Sequence, residues 1–275
     1  MSIITLTTDY GLKDHFVGAL KGKILSQYKE ASIVDISHHV DQYNCSEASY
    51  IVNASYTSFP KGTVHVIGID IELTNENQHI AIEWNDHFFI CADNGILSML
   101  IQKNKPKKIV AINIHDRLLP EATDMDVFVT VAVHLAKGGL LNVVGKEINT
   151  IKEVTELQPV IASDSNSLKG YVVYIDHFGN AITNISKKIF LEVAKGRPYE
   201  VNFKNKKVKS IFAKYSDIET TDKQSITDLK GKSLAIFNEA GFLEIGIYKC
   251  NPKIGSASSL FGIGYRDVIM INFNS

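Results

Sequence analysis

The chain has 275 residues and a mass of 30.5 kDa, and its 45% hydrophobic and 21% charged content is that of a globular protein, which excludes a disordered, collagenous or coiled-coil chain. Its 29 Lys/Arg and 30 Asp/Glu leave a net charge of −1, so it lacks the cationic field that draws nucleic acid or an anionic membrane surface. Cys45, Cys91 and Cys250 are far apart and form no C-x-x-C, no apolar run approaches the roughly 18 residues that span a bilayer, and the first residues show no secretory pattern; a cytoplasmic protein without disulfides, zinc framework or membrane segment is expected.

In chain order, the β-branched residues 3–7 predict a strand and 9–11 a turn. Apolar spacing predicts a helix over 16–25, then a strand over 32–36 and a helix over 46–59, with Ser46 as its N-cap and Glu47 in its first turn. Residues 64–69 read as a strand, 72–78 as a polar loop, and 79–82 with 88–91 as a hairpin around Asn85 and Asp86. A helix over 96–101, a strand over 109–112 and an amphipathic helix over 127–137, ending at Gly138 and Gly139, complete the first part. Strand–helix alternation of this kind implies an α/β domain with a mostly parallel sheet. The polar stretch 152–168, with its single proline, reads as a linker. After it, strands are predicted at 170–176, 199–203, 206–211, 233–237, 243–247 and 268–273, with 214–232 as a charged surface loop. The expected architecture is an N-terminal α/β domain over 1–155 and a smaller antiparallel β-barrel-like domain over 166–275. Charge divides the same way: residues 1–160 carry a net −6 and eight of the nine histidines, residues 161–275 a net +5.

Two carboxylates follow predicted strands of the first domain, Asp9 and Asp70. Ligands of open parallel sheets bind beyond the carboxyl ends of strands, where such groups hold ribose hydroxyls or act as a base; for Asp9 the competing reading is a cap on the next helix. Asp35-x-x-His38-His39-x-Asp41 has the residue types and spacing of zinc or iron ligands, but no H-E-x-x-H accompanies it, and a solvated loop without metal is expected. Asp93-Asn94-Gly95 reads as a tight turn. The segment from Asp176 to Asn180 is a turn dense in polar groups able to read a base edge. G-x-G-x-x-G, the P-loop pattern and the G-x-S-x-G elbow are all missing, which removes the phosphate cradles and the common serine nucleophile.

Several blocks taken together resemble a known family. They are Thr8-Asp9-Tyr10-Gly11 with Asp14 and Val17-Gly18-Ala19-Leu20-Lys21-Gly22; Asp35-Ile36-Ser37-His38; Phe59-Pro60-Lys61-Gly62-Thr63-Val64-His65; Ala92-Asp93-Asn94-Gly95-Ile96-Leu97-Ser98; and Tyr174-Ile175-Asp176-His177-Phe178-Gly179-Asn180-Ala181-Ile182-Thr183-Asn184-Ile185. In this order, over nearly the whole chain, they are similar to the S-adenosyl-L-methionine (SAM) hydroxide adenosyltransferases, adenosine-forming SAM hydrolases related to the SAM-dependent fluorinases and chlorinases. The resemblance implies a homotrimer in which SAM lies between the N-terminal domain of one subunit and the C-terminal domain of the next. SAM is then the substrate and no cofactor is needed. The resemblance also implies that Asp9 holds the ribose hydroxyls, with Asp14 at a nearby acidic position, and that Tyr43 lines the ligand. It assigns Asp176 to the methionine amino group and Asn180 to adenine, with Tyr215 packed on the base. The turn Asn238-Glu239-Ala240-Gly241 stands where the family has an Asn-Ser turn whose backbone contacts the methionine carboxylate, so the Glu239 side chain has to point away.

The same resemblance exposes a departure at the reacting centre. The hydrolases share an Asp–Arg–His set. Asp70 supplies the Asp, but the Arg of the loop D-P-G-V-G-T-x-R aligns with Asn77, and the His of T-F-H-G-R-D aligns with Thr123. An Arg stabilises a neighbouring carboxylate charge, whereas Asn77 and Thr123 offer only neutral hydrogen bonds. Asp124 falls where a halogenase has a small or hydroxyl residue beside its halide. A carboxylate there repels halide and is suited to attract a sulfonium or to share the base role with Asp70. The catalytic group expected is thus Asp70, Asn77, Thr123 and Asp124. The expected activity is displacement of methionine from C5′ of SAM by water, impaired by two replacements. A non-catalytic SAM or adenosine binder, or a family member with another nucleophile, stands as the alternative.

Overall fold

A computed structural model describes residues 2–102, 104–154, 157–222 and 226–274. Its backbone contacts group the chain into two units, Met1–Thr155 and Glu156–Ser275. The first comprises β1 (Ile3–Thr8), α1 (Phe16–Gln27), β2 (Ser32–Ser37), α2 (Cys45–Ser55), β3 (Val64–Gly68), β4 (His79–Trp84), β5 (His87–Ala92), α3 (Ile96–Ile101), β6 (Lys108–Ile112), α4 (Asp124–Ala136), α5 (Leu141–Val144) and β7 (Gly145–Glu147). Its sheet runs β2-β1-β3-β5-β4-β6-β7. The β2, β1, β3 and β5 strands pair in parallel, and β5, β4, β6 and β7 pair antiparallel. All residues of β3 are buried, as a parallel strand covered on both faces requires.

The period-2 alternation of the strands sends side chains to two different cores. Ile4, Leu6, Val66, Ala81 and Ile90 pack with Leu20 and Ile24 of α1 and Phe128 and Val131 of α4. Ile67, Ile80, Ile82, Phe89 and Cys91 pack on the opposite face with Ala48 and Val52 of α2 and Leu97 and Leu100 of α3. Two helix starts differ from the sequence reading. The α2 helix begins at Cys45 with Asn44 as N-cap, because the Asn44 side-chain Oδ1 accepts the Glu47 N–H. The α4 helix begins at Asp124, three residues before the predicted start, because Thr123 and Asp126 form a capping box.

The second unit comprises β8 (Val160–Ile161), β9 (Ser167–Ile175), β10 (Ala181–Ser186), α6 (Lys187–Ala194), β11 (Tyr199–Phe203), β12 (Lys206–Val208), β13 (Ile211–Phe212), α7 (Asp217–Asp222), α8 (Ile226–Leu229), β14 (Ser233–Phe237), β15 (Phe242–Ile247), α9 (Ala257–Phe261) and β16 (Val268–Phe273). The strands form a barrel-like sheet in the order β12-β11-β16-β9-β10-β15-β14-β13, with β8 added beside β9. Pairing is antiparallel except between β13 and β14. Its core includes Leu168, Val172, Val201, Leu243, Ile245, Ile269 and Ile271. The stretch read as a linker thus carries β8 and the start of β9. The stretch read as a surface loop over 214–232 carries α7 and α8. Ile218 and Leu229 of these helices are buried against Leu234, Ile236 and Tyr248, a match too sparse to give a sequence period. Among the described residues no helix is long and apolar enough to cross a membrane.

Candidate active site

The neighbouring parallel strands β1, β3 and β5 each deliver an aspartate at or just beyond their carboxyl ends: Asp9, Asp70 and Asp93. Asp9 is half-buried and does not cap α1, whose N-cap position is His15. Its Oδ2 instead accepts the backbone N–H of Tyr43 at 3.1 Å. Tyr43 is left-handed (φ 61°), and its side chain stands out into solvent. Asp9 borders an open cleft of about 390 Å³ with Gly11, His38, His39, Asp41 and Gln42. Two further side chains respond to these carboxylates. The Tyr10 hydroxyl is pushed up to about 12 by burial, then by Asp9 and Asp124. Burial, then Asp70 and Asp9, push the Cys45 thiol up to about 11. Asp9 and Asp124 thus act on Tyr10, and Asp70 and Asp9 on Cys45, an acidic corner in which both groups stay neutral at pH 7. Asp14 is exposed in the bend before α1.

His38 is not in a solvated loop, contrary to expectation. It is 3% exposed, its Nδ1 bonds Thr8 Oγ1 at 2.8 Å, and its Nε2 lies 3.1 Å from Asp35, which also pairs with Lys21. The ring thereby braces the end of β1 on which Asp9 sits. No group of three or more His, Cys, Asp or Glu side chains able to hold a metal occurs among the described residues. Asp93 ends in the expected turn, accepting the Lys152 N–H, while Asn94 bonds the Ile69 carbonyl and Gly95 takes φ 100°.

Asp70 is exposed and left-handed (φ 46°), a conformation that costs a non-glycine residue on the order of 1–3 kcal/mol and persists only where neighbours enforce it. The enforcement is visible. Asn77 Nδ2 donates to the carbonyls of Asp70 (2.8 Å) and Glu72 (3.0 Å), and His79 Nε2 lies 2.8 Å from the carbonyl of Ile71. Asp124 Oδ2 accepts the Leu73 N–H at 3.2 Å. Asn77 is thus committed to the backbone of the loop. Thr123 is exposed and committed to the α4 capping box with Asp126. Of the four expected catalytic positions, Asp70 and Asp124 present carboxylates, while Asn77 and Thr123 have structural bonds. A second cleft, of about 440 Å³, is lined by Leu73, His115, Leu119, Thr123 and Asp124.

In the second unit Asn180 and Tyr215 meet at Gly246 of β15, with Asp176 bonded to Asn180. Asp176 is half-buried; its carboxylate accepts both the backbone N–H (2.8 Å) and the side-chain amide (2.9 Å) of Asn180, closing the turn after β9. The Tyr215 hydroxyl donates to Glu244 Oε1 at 2.5 Å, and its titration is pushed far up by burial, then by Glu244 and Asp176. Glu244 is 7% exposed, and burial drives its carboxyl upward against the opposing bonds from Tyr215 and Asn238. Asn238 also accepts the Phe242 N–H, and Glu239 is exposed at the tip of the β14–β15 turn. Gly246 lies beneath this group: a Cβ there meets the Tyr215 hydroxyl and the Asn180 Oδ1.

Sequence reasoning missed Glu244, His79, His115 and Tyr10. The signal for Glu244 was a lone acid within the apolar run 242–247, and for Tyr10 its place beside Asp9. His79 and His115 are 36 positions apart and carry no local signal; only the adjacency of β4 and the segment after β6 brings their rings within 3.0 Å.

Comparison with known proteins adds to this geometry. The profile of the SAM hydroxide adenosyltransferase N-terminal domain matches residues 4–145, and that of the C-terminal domain matches residues 170–270. The (R)-S-adenosyl-L-methionine hydrolase of Methanocaldococcus jannaschii is 31% identical, over 98% of this chain and 96% of that protein. The fluorinase of Nocardia brasiliensis is 26% identical over 67% of this chain and 71% of its own length. The crystal structure of an uncharacterized conserved protein from Thermotoga maritima superposes with a TM-score of 0.82 at 26% identity, covering 99% of this chain and all of the other. With both profiles matched in order across most of the chain, it belongs to the SAM hydroxide adenosyltransferase family.

Proposed function

We propose that this protein hydrolyses SAM at C5′ of the ribose, releasing adenosine and L-methionine. The observation that carries the reading is the pairing of Asp9 and Asp70 at the carboxyl ends of adjacent parallel strands, in a chain of this family. Asp9 is suited to the ribose hydroxyls. Asp70 is suited to orient a water in line with the C5′–S bond and to take its proton as the oxygen attacks. The bonding pair of C5′–S passes to sulfur, so the sulfonium leaves as neutral methionine and no general acid is required. The acidic corner of Asp9, Asp70 and Asp124 favours a cationic substrate and disfavours a halide nucleophile. In the second unit, Asp176 is proposed to bind the methionine amino group and Asn180 with Tyr215 the adenine, while the backbone of the Asn238–Glu239 turn takes the methionine carboxylate. The reading includes a homotrimer, for which sedimentation at three times the chain mass is the check, and a cytoplasmic location.

A second reading, a SAM or adenosine binder without turnover, is favoured by one observation: the Asn77 amide N–H groups and the Thr123 hydroxyl are taken up by the loop backbone and the α4 cap. The deciding experiment incubates the purified protein with each sulfonium epimer of SAM in halide-free buffer, separates the products by chromatography, and runs Asp70→Asn alongside. Adenosine and methionine from the parent protein, with turnover lost in Asp70→Asn, support hydrolysis. Bound SAM or adenosine with no product establishes the binder. Another adenosyl product identifies a different nucleophile.

A further inference from the structure

The loop that carries Asp70 is held by a histidine pair that the proposed mechanism does not use. His79 opens β4 with its side chain fully buried. Its ring packs edge-on against Phe128, with centroids 4.7 Å apart, so its plane is fixed. Nε2 lies 2.8 Å from the Ile71 carbonyl oxygen, and Nδ1 lies 3.0 Å from His115 Nε2.

These contacts leave one consistent arrangement of protons. A carbonyl oxygen only accepts, so His79 Nε2 must carry a hydrogen. Burial, with His115 adding to it, holds the His79 ring down toward its neutral form, against the pull of the Ile71 bond and Asp124. In a neutral ring with Nε2 protonated, Nδ1 is a lone-pair acceptor, and His115 Nε2 must donate to it. The Ile71 carbonyl therefore dictates the tautomer of His79, and the His115 Nε2–H completes it. With the opposite tautomer, the lone pair of Nε2 would face the Ile71 oxygen and the contact would repel. The same Nε2–H edge stands 3.7 Å from Asp124 Oδ1, while Asp124 Oδ2 holds the Leu73 N–H.

Three successive carbonyls, of Asp70, Ile71 and Glu72, are thus gripped by Asn77 and His79, and the next residue by Asp124. We propose that His79, backed by the His115 Nε2–H, is a positioning residue for the hydrolysis: its Nε2–H to the Ile71 carbonyl holds the left-handed Asp70 turn and aims the Asp70 carboxylate. Neither histidine touches substrate or exchanges a proton in the reaction. The effect is on orientation, where a displacement near 1 Å is worth about 100-fold in rate.

The proposal rests on the hydrolase reading for its kinetic readout, so the test has a second readout that does not. In full-length protein with ¹⁵N-labelled histidine rings, the His79 signals, identified by their loss in His79→Gln, are expected to show a protonated Nε2 and an unprotonated Nδ1. His115→Leu is expected to leave Nε2 protonated, because the Ile71 carbonyl remains, and to shift the Nδ1 signal as its donor is lost. In SAM turnover, His79→Leu is expected to lower kcat about 100-fold with KM within a few-fold. His79→Gln, whose amide N–H replaces Nε2–H, is expected to recover to within about 10-fold of the parent, and His115→Leu to fall between the two. Thermal melts establish that each variant is folded; if His79→Leu is not, His115→Leu carries the kinetic test with His79 in place. A protonated Nδ1 in the parent, a folded His79→Leu with parental kcat, or a His79→Gln no better than His79→Leu overturns the proposal. A parent protein that forms no product overturns the hydrolase reading, and the positioning role in hydrolysis with it. That outcome is distinguishable, because the His79 tautomer is read without substrate.

Discussion

At the strand ends of the first unit, Asp70 is exposed and Asp9 half-buried, and the bonds around them go to backbone: Tyr43 N–H to Asp9, and side chains of Asn77 and His79 to the carbonyls of the Asp70 loop. On the barrel face of the second unit the polar side chains bond one another, Asp176 to Asn180 and Tyr215 to Glu244. The first arrangement leaves carboxylate oxygens available for a ligand and puts the strain into the backbone. The second fixes side-chain directions in advance and leaves little to rearrange. Chemistry suits the former and recognition the latter, since a reacting group needs a free lone pair and a recognition surface gains from preorganisation.

That contrast predicts how each region fails. The largest effect is expected at Asp70: Asp70→Asn should lower kcat by roughly 10²–10⁴ while adenosine binding, measured by calorimetry, stays near that of the parent. A comparable loss of binding would mean that Asp70 holds substrate and does not act on water.

Acid should separate the units next. Burial, then His87, lower the His65 titration from 6.5 to about 3. Above pH 6.5 His65 is neutral whether folded or unfolded. Below it the unfolded chain takes up a proton that the folded state refuses, so stability falls as pH drops from 6.5 toward 3, by on the order of 4 kcal/mol in all. Glu244 is shifted the other way: its folded carboxyl holds a proton above 4.5, so its contribution to stability is lost as pH rises through that window. Trp84 lies 5.3 Å from Tyr56, which packs on both His65 and His87, and its fluorescence should report acid unfolding of the first unit. A Trp84 signal constant down to pH 4 would remove the histidine argument.

On the barrel face, Gly246→Ala drives a methyl into Tyr215 and Asn180. It is expected to cost about 1–3 kcal/mol of stability and to raise KM for SAM with kcat nearly unchanged. A fall in kcat alone would place this face in the chemistry. The smallest effect is expected at Thr123: Thr123→Ala removes a cap worth about 1 kcal/mol and should lower Tm by about 2–4 °C with turnover preserved. A hundredfold loss of turnover would make Thr123 a participant in the reaction.

Much of this was legible one residue at a time. Strand–helix alternation followed by closely spaced strands gave both architectures, because side-chain periodicity is a local property. Asp9 and Asp70 were visible because strand ends are visible and parallel sheets bind ligands there. Partner identity was not legible. Asn77 and Thr123, expected among the catalytic residues, bond as a loop clasp and a helix cap. His38, in a loop expected to be solvated, is buried under β1. The family resemblance was carried by short blocks in order.

The sequence by itself determined the strands and helices of the first unit, the main strands of the second, where the first unit's acidic groups emerge, and to which family the chain belongs. Only the tertiary structure decided that Asp9, Asp70 and Asp124 share one corner, that His115 meets His79, and that Glu244 sits beneath Tyr215. The physical reason is range. Periodicity, capping and turn propensity act over a few residues, whereas hydrogen bonds between residues 29 to 51 positions apart exist only after the tertiary fold has placed their segments side by side.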